Sequence, residues 1–218
     1  RIIGEITPLV AEGLNDLGDA IIEVVGQAGV QASSVLTNGN NFYYDVDVTE
    51  RGSRDSAGKY QLLVHDNGRH LGAKKDGISL SAGATVTLPS AVNLVTTGSI
   101  SGTVSLSNGG DPTGSFVFIP GTSFSATASA TGAFSIADVP PGTYDNVRAQ
   151  KDGYYDAVAS DVVVNTEADT SIGIMQLILS TGPNGSILIN NGDAYTTSQT
   201  VTLTIGAASD AVLMQISE

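Results

Sequence analysis

The amino-acid sequence predicts an all-β protein made of tandem small antiparallel β-sandwiches. Short alternating or β-branched runs recur along its whole length, clusters of Gly, Asn, Pro and Asp separate them, and no long helical period interrupts the series. Ile2–Ile6 opens the series, followed by Ala20–Val25, Phe42–Val48 and Tyr60–His65. Ala84–Leu88, Ser99–Leu106, Ser115–Ile119, Ala133–Ile136 and Asp161–Val164 continue it, and Ser186–Ile189 and Thr200–Ile205 close it. Turn clusters lie between them at Asn38-Gly39-Asn40, Asn108-Gly109-Gly110-Asp111-Pro112 and Pro140-Pro141-Gly142. Pro8–Leu17 is the helix candidate, weakened by Gly13 in its middle.

A chain of 218 residues fits one large domain or two small ones, at roughly 100–150 residues each. Charged residues are 14% of the chain, against about 25% in an average soluble domain. The surface is therefore built from hydroxyls and short side chains, which suits exposed sheet faces and secreted modular proteins. Nine Lys and Arg against 22 Asp and Glu leave a net charge of −13, which repels a nucleic-acid backbone or an anionic membrane. The absence of Cys excludes disulfides and thiolate chemistry. No apolar run reaches the roughly 18–20 residues of a membrane span, so direct insertion is not expected. Strand-like sequence starts at Arg1-Ile2-Ile3 with no signal peptide, which reads as a mature, processed or excised chain.

An internal repeat divides the chain. Ala73-Lys74-Lys75-Asp76-Gly77-Ile78 is echoed by Ala149-Gln150-Lys151-Asp152-Gly153-Tyr154, and each follows a Gly-x-Tyr strand start, Gly58-Lys59-Tyr60 and Gly142-Thr143-Tyr144. Asp-Gly is a turn signal because Gly accepts positive φ and Asp caps the turn. On this alignment the Lys-Asp-Gly segments occupy equivalent positions in two separately cored units. Tyr144 is expected to bury its ring and keep its hydroxyl at the rim.

Ile100-Ser101-Gly102-Thr103-Val104, Gly132-Ala133-Phe134-Ser135-Ile136, Val139-Pro140-Pro141-Gly142-Thr143-Tyr144 and Ala149–Tyr154 together resemble the carboxypeptidase regulatory-like domain. That family is a prealbumin-like sandwich related to the Cna protein B-type repeats, and the resemblance spans about residues 97–179. Residues 1–96 look like a divergent copy. Residues 180–218, with Pro183-Asn184-Gly185-Ser186 and Val201–Ile205, resemble part of a bacterial immunoglobulin-like surface repeat or a strand-exchange segment. Many relatives of this family carry a Lys–Asn isopeptide bond from a first-strand Lys. Neither opening strand here contains Lys, so no such bond is expected.

Several residues are candidates for chemistry. His65 and His70 flank Asn67-Gly68, a two-residue hairpin signal that would set Asp66 opposite Arg69 and the imidazoles opposite each other. They are half of a metal site or an exposed hairpin tip. Asp45 and Asp47, at i and i+2, share a strand face and, with Glu50 or Asp55, either bind Ca²⁺ or another divalent ion or form a solvated acidic face. An EF-hand is excluded because Glu50 stands where its Gly belongs. The adjacent pairs Tyr43-Tyr44 and Tyr154-Tyr155 should each turn one ring outward, making Tyr43 and Tyr155 candidate contacts for a sugar or a protein. Asn184-Gly185-Ser186 matches a glycosylation acceptor.

No catalytic constellation is found. Glycoside hydrolysis wants a cleft with aromatic platforms, and aromatics are 6% with no Trp; a Gly-x-Ser-x-Gly elbow and a Gly-Lys-Ser/Thr phosphate loop are both missing. The expectation is a non-enzymatic, cofactor-free, secreted cell-surface protein. It would be structural or adhesive, spacing or polymerising through edge strands and its C-terminal segment. A carbohydrate-binding accessory module of a larger exported enzyme is the alternative.

Overall fold

The computed structural model describes residues 1–7, 20–26, 36–38, 41–48, 58–180, 186–190, 200 and 202–206. All the regular elements among them are strands, and the helix expected at Pro8–Leu17 lies outside them. The chain divides into two compact units, Arg1–Ile178 and Leu179–Glu218.

The first unit begins with nine strands: β1 (Ile2–Thr7), β2 (Ile21–Val24), β3 (Leu36–Asn38), β4 (Asn41–Val46), β5 (Tyr60–Asp66), β6 (Leu71–Ile78), β7 (Val86–Thr87), β8 (Val92–Asn93) and β9 (Val95–Thr96). They form two sheets, ordered β3-β4-β1-β7, with β8 also on β1, and β2-β5-β6-β9. The alternation of β1 buries Ile2 and Ile6, which meet Ile22, Val24, Tyr44 and Val46 in a first hydrophobic cluster. Gly4 stands opposite Tyr44, and a Cβ there would lie 2.2 Å from the Tyr44 hydroxyl oxygen. The missing side chain is the space that the phenol fills. Burial pushes the Tyr44 hydroxyl well above the usual phenol range.

Eight further strands follow: β10 (Gly98–Leu106), β11 (Phe116–Phe118), β12 (Ser125–Thr127), β13 (Ala133–Val139), β14 (Gly142–Gln150), β15 (Tyr154–Tyr155), β16 (Ala157–Val164) and β17 (Asp169–Leu179). Their sheets are ordered β13-β10-β17-β15 and β12-β11-β14-β16, around a second cluster that includes Ile100, Val104, Phe134, Ile136, Val147 and Leu177. The two sandwiches share the central part of their topology and differ in their outer strands. In each, the opening strand has an antiparallel neighbour on one side, β4 or β13, and a parallel one on the other, β7 and β8 or β17.

The shared topology corrects the alignment of the repeat. Tyr60 and Tyr144 both begin the inner hairpin strand and both are buried, as the Gly-x-Tyr match implies. The Lys-Asp-Gly segments are not equivalent: Lys151-Asp152-Gly153 turns the chain out of β14, whereas Lys75-Asp76-Gly77 lies inside β6, one strand later. The counterpart of the Lys151 turn is Asn67–His70. The two hexapeptides look alike because Gly77 and Gly153 both take positive φ, 73° and 83°, after an Asp. The Tyr144 hydroxyl is also not at the rim; it is buried and donates to the Pro140 carbonyl at 2.7 Å.

In the second compact unit, β18 (Ser186–Ile189) pairs antiparallel with β19 (Leu203–Gly206) from Ser186↔Gly206 to Ile189↔Leu203. Asn184 of the glycosylation motif lies outside the described residues.

Adding a methyl at Gly4 must displace the Tyr44 ring. Gly4→Ala is expected to destabilise the chain by about 1–3 kcal/mol, the usual cost of overpacking. Pairing it with Tyr44→Leu should recover part of that loss, so chemical denaturation of the two single variants and the double variant should give non-additive values.

Candidate functional site

Strand β5 is buried on both faces. Leu62 and Val64 enter the first cluster, while Leu63 on the opposite face joins the second. Glu23 of β2 stands directly opposite Leu63, and His65 follows two residues along. Glu23, Leu63 and His65 thus line an outer face of the first sandwich, against which the β11–β12 loop of the second packs.

The seam this creates is polar at its centre. Glu23 is 4% exposed and His65 1% exposed. The His65 ring packs on Phe124 with centroids 4.9 Å apart, and its Nδ1 lies 2.8 Å from Asn67 Oδ1, an acceptor that fixes that nitrogen as the donor. Its Nε2 faces Glu23 Oε1 at 3.5 Å. The other Glu23 oxygen accepts from the Ser123 amide of the second sandwich at 3.2 Å. Burial alone would raise the Glu23 pKa; the contacts with His65 and Ser123 outweigh it and hold the carboxyl below its ordinary value.

Backbone contacts tighten the same seam. The Gly26 amide donates to the Gly121 carbonyl at 2.7 Å, and a Cβ on Gly121 would lie 2.5 Å from the Gly26 nitrogen. At the connecting segment, the Thr97 amide and hydroxyl both donate to the His70 carbonyl, at 2.8 and 3.1 Å. His70 Nδ1 reaches across to Asp138 Oδ1 at 2.5 Å, which holds the imidazole pKa above its ordinary value. Lys74 extends over the Tyr144 ring, its ammonium 5.4 Å from the centroid.

The predicted imidazole pair is not brought together. Asp66 pairs with Leu71 and His65 with Gly72, so the hairpin loop has four residues, Asn67–His70, instead of two. The Asp66 carboxylate decides this. It accepts from the Arg69 amide at 3.1 Å and the Arg69 guanidinium at 2.6 Å, and the turn closes through His70 at φ 54°. One histidine is thereby buried in the seam, and the other caps its edge.

Asp45 and Asp47 do share a face, with the Arg1 guanidinium bonded to Asp45 and 3.7 Å from Asp47. Glu50, Asp55 and the Tyr43 side chain lie outside the described residues. Among the described residues no three His, Asp or Glu converge as a metal site would require. Tyr155 is 58% exposed, while the Tyr154 hydroxyl donates to Asn108 Oδ1 at 3.1 Å.

Sequence reasoning missed a different aromatic. Val117 is buried, so Phe116 and Phe118 point outward, stacked at 5.2 Å between centroids. Phe116 is 44% exposed and borders a cleft of about 650 Å³ with Gln150, Lys151, Asp152, Tyr154 and Asp156. Gln150 donates to Asp156 there at 2.8 Å. The Phe-Val-Phe triplet carried the signal, because a period of two forces both rings onto one face. Elsewhere β16 ends its sheet, and β15 covers only a short stretch of β17. Val158 and Val163 on β16 and Ile174 and Ile178 on β17 are exposed.

The family model of the carboxypeptidase regulatory-like domain matches residues 99–177. No curated protein matches the sequence. Among solved structures, a type II cohesin-X-dockerin complex from Acetivibrio cellulolyticus is similar at 25% identity and TM-score 0.33, over 37% of this chain and 57% of that one. The chain therefore spans little more than half the length of that relative. The shaft pilin SpaA from Lactobacillus rhamnosus GG is similar at 12% identity and TM-score 0.30, over 83% of this chain and 98% of that one. BcpA, the major pilin subunit of Bacillus cereus, is similar at 15% identity and TM-score 0.29, over 75% and 55%. The family match coincides with the sandwich of β10 to β17, which is similar to a carboxypeptidase regulatory-like domain.

Proposed function

We propose that this chain is a structural or adhesive component of an extracellular surface, in which the first two sandwiches act together as one stiff spacer. The observation that carries the reading is the seam. Tandem domains move relative to one another unless a large or specific interface holds them. Here Leu63 packs in the neighbouring core, and a buried carboxylate draws one of its hydrogen bonds from the neighbouring sandwich. A spacer needs that stiffness, whereas a flexible tether does without it. The low charge density and the hydroxyl-rich surface support an extracellular setting.

The apolar edges of β16 and β17 support association with further protein, including other copies of the chain. Ile174 is 73% exposed, and neither strand places Lys or Arg at its edge to discourage pairing. Sedimentation of the purified chain should show concentration-dependent association that Ile174→Lys with Ile178→Lys removes, and immunogold labelling should place the chain on the cell surface. A monomer at all concentrations together with unlabelled surfaces would contradict the reading.

The spacer works without catalysis, metal or cofactor. A ligand that binds only the native state raises stability with its concentration. Melting temperatures should therefore stay unchanged in excess Zn²⁺ or Ca²⁺, and a concentration-dependent rise would overturn this part of the proposal.

One observation favours a second reading, a carbohydrate-binding module. Phe116 offers an aromatic face beside the Gln150 and Asp156 polar groups, a combination suited to a sugar ring and its hydroxyls. A glycan array would give signals lost in Phe116→Ala and retained in Tyr155→Ala. An array blank for the intact chain would remove this reading and leave the spacer untouched.

A further inference from the structure

We propose that the joint between the two sandwiches is a pH-gated coupling, locked in mild acid by two histidine–carboxylate pairs and loosened on either side of that range. The chain has two histidines, and both lie on this joint. His65 sits inside it against Glu23, and His70 spans it to Asp138.

The buried pair has a geometric reason to respond to protons. Nδ1 of His65 is committed to Asn67, leaving Nε2 and Glu23 Oε1 facing each other at 3.5 Å, and Nε2 has no hydrogen bond among the described residues. An ionised Glu23 carboxylate turns one oxygen to the His65 ring and accepts the Ser123 amide with the other. Protonating Glu23 weakens the charge-assisted bond from the Ser123 amide and its contact with the His65 ring. That change costs docking of the β11–β12 loop before it costs either hydrophobic cluster.

The charges around the joint do not replace these pairs. Glu23 on β2 faces His65 on β5 and the Ser123 amide, with Phe124 closing that side and the Tyr144 phenol of β14 within its field. Near His70, Asp66 is paired with Arg69 in the same turn, and Lys74 with Asp76 on β6. Glu167, after β16, accepts from the Thr96 hydroxyl and donates its amide to the Thr97 carbonyl. The histidine–carboxylate contacts at the joint are therefore Glu23–His65 and Asp138–His70.

The two pairs set opposite limbs. Glu23 is held below its ordinary 4.5, so its contribution is present above that value and is lost as the pH falls through the depressed one. His70 is held above its ordinary 6.5, so its contribution is complete below 6.5 and is lost as the pH rises through the elevated one. The lock is tightest between the two ordinary values. The His70 pair is exposed and weakens with added salt; the Glu23 pair is shielded.

The chain lacks Cys, so a spin label can be placed in each sandwich at Thr87→Cys and Ser160→Cys, both exposed strand positions. Pulsed dipolar spectroscopy of the full chain should give a narrow inter-label distribution at about pH 5.5, and roughly twofold broader ones at about pH 3.5 and pH 8.5, with unchanged far-UV circular dichroism. Glu23→Gln should abolish the change on the acid side, and His70→Gln the change on the alkaline side. Because His70 is exposed, its variant tests the proposal even if Glu23→Gln fails to fold. Equal widths at all three pH values, or broadening that comes only with loss of the circular dichroism signal, would overturn it.

Discussion

A carboxylate removed from water must be supplied with partners, and much of this molecule is arranged around that requirement at Glu23. Leaving the group buried and unpaired would cost several kcal/mol, a large share of the stability of an ordinary domain. Its partners come from two sources, His65 within its own sandwich and the Ser123 amide of the next. The second sandwich is thus part of the solvation shell of a residue in the first. Separating them exposes Leu63 and hydrates Glu23, and that linkage turns two sandwiches with their own hydrophobic clusters into one compact unit.

The rest of the seam follows from that docking. Gly121 has no side chain where the β11–β12 loop touches Gly26, and a methyl there would push apart the groups that Glu23 needs close. Tyr144 spends its hydroxyl on Pro140 and offers its ring to Lys74 from the first sandwich. A tyrosine that the sequence presents as a strand-opening signature therefore also serves the joint. Stiffness of this kind is a property of a few contacts and owes little to the number of strands.

The fold class was legible because most strands announce themselves by period and punctuation. β17 escaped notice because Gly173, at φ 72°, inserts a bulge that shifts the pattern by one: Ile172 faces the core before it, Met175 and Leu177 after it. The burial of β5 on both faces was written in the continuous apolar run Leu62-Leu63-Val64, which an alternating half-exposed strand does not need. What covers the second face was not legible, since Glu23 and Ser123 are a hundred residues apart. The hairpin at Asn67-Gly68 was misjudged for a local reason: an Asp before such a pair can cap a longer turn, and Asp66 does so. The exposed Phe116 was within reach of the same period-two reasoning that located the core.

The claim on which this account rests is that the two sandwiches of residues 1–178 tumble as one body. Residual dipolar couplings measured separately for amides in 60–78 and in 133–164 test it most directly, because each set reports the orientation of its own sandwich. At about pH 5.5, within the window set by Glu23 and His70, a single alignment tensor should fit both sets with the coordinates held rigid. Two tensors of different magnitude would show the sandwiches moving independently and would contradict the account.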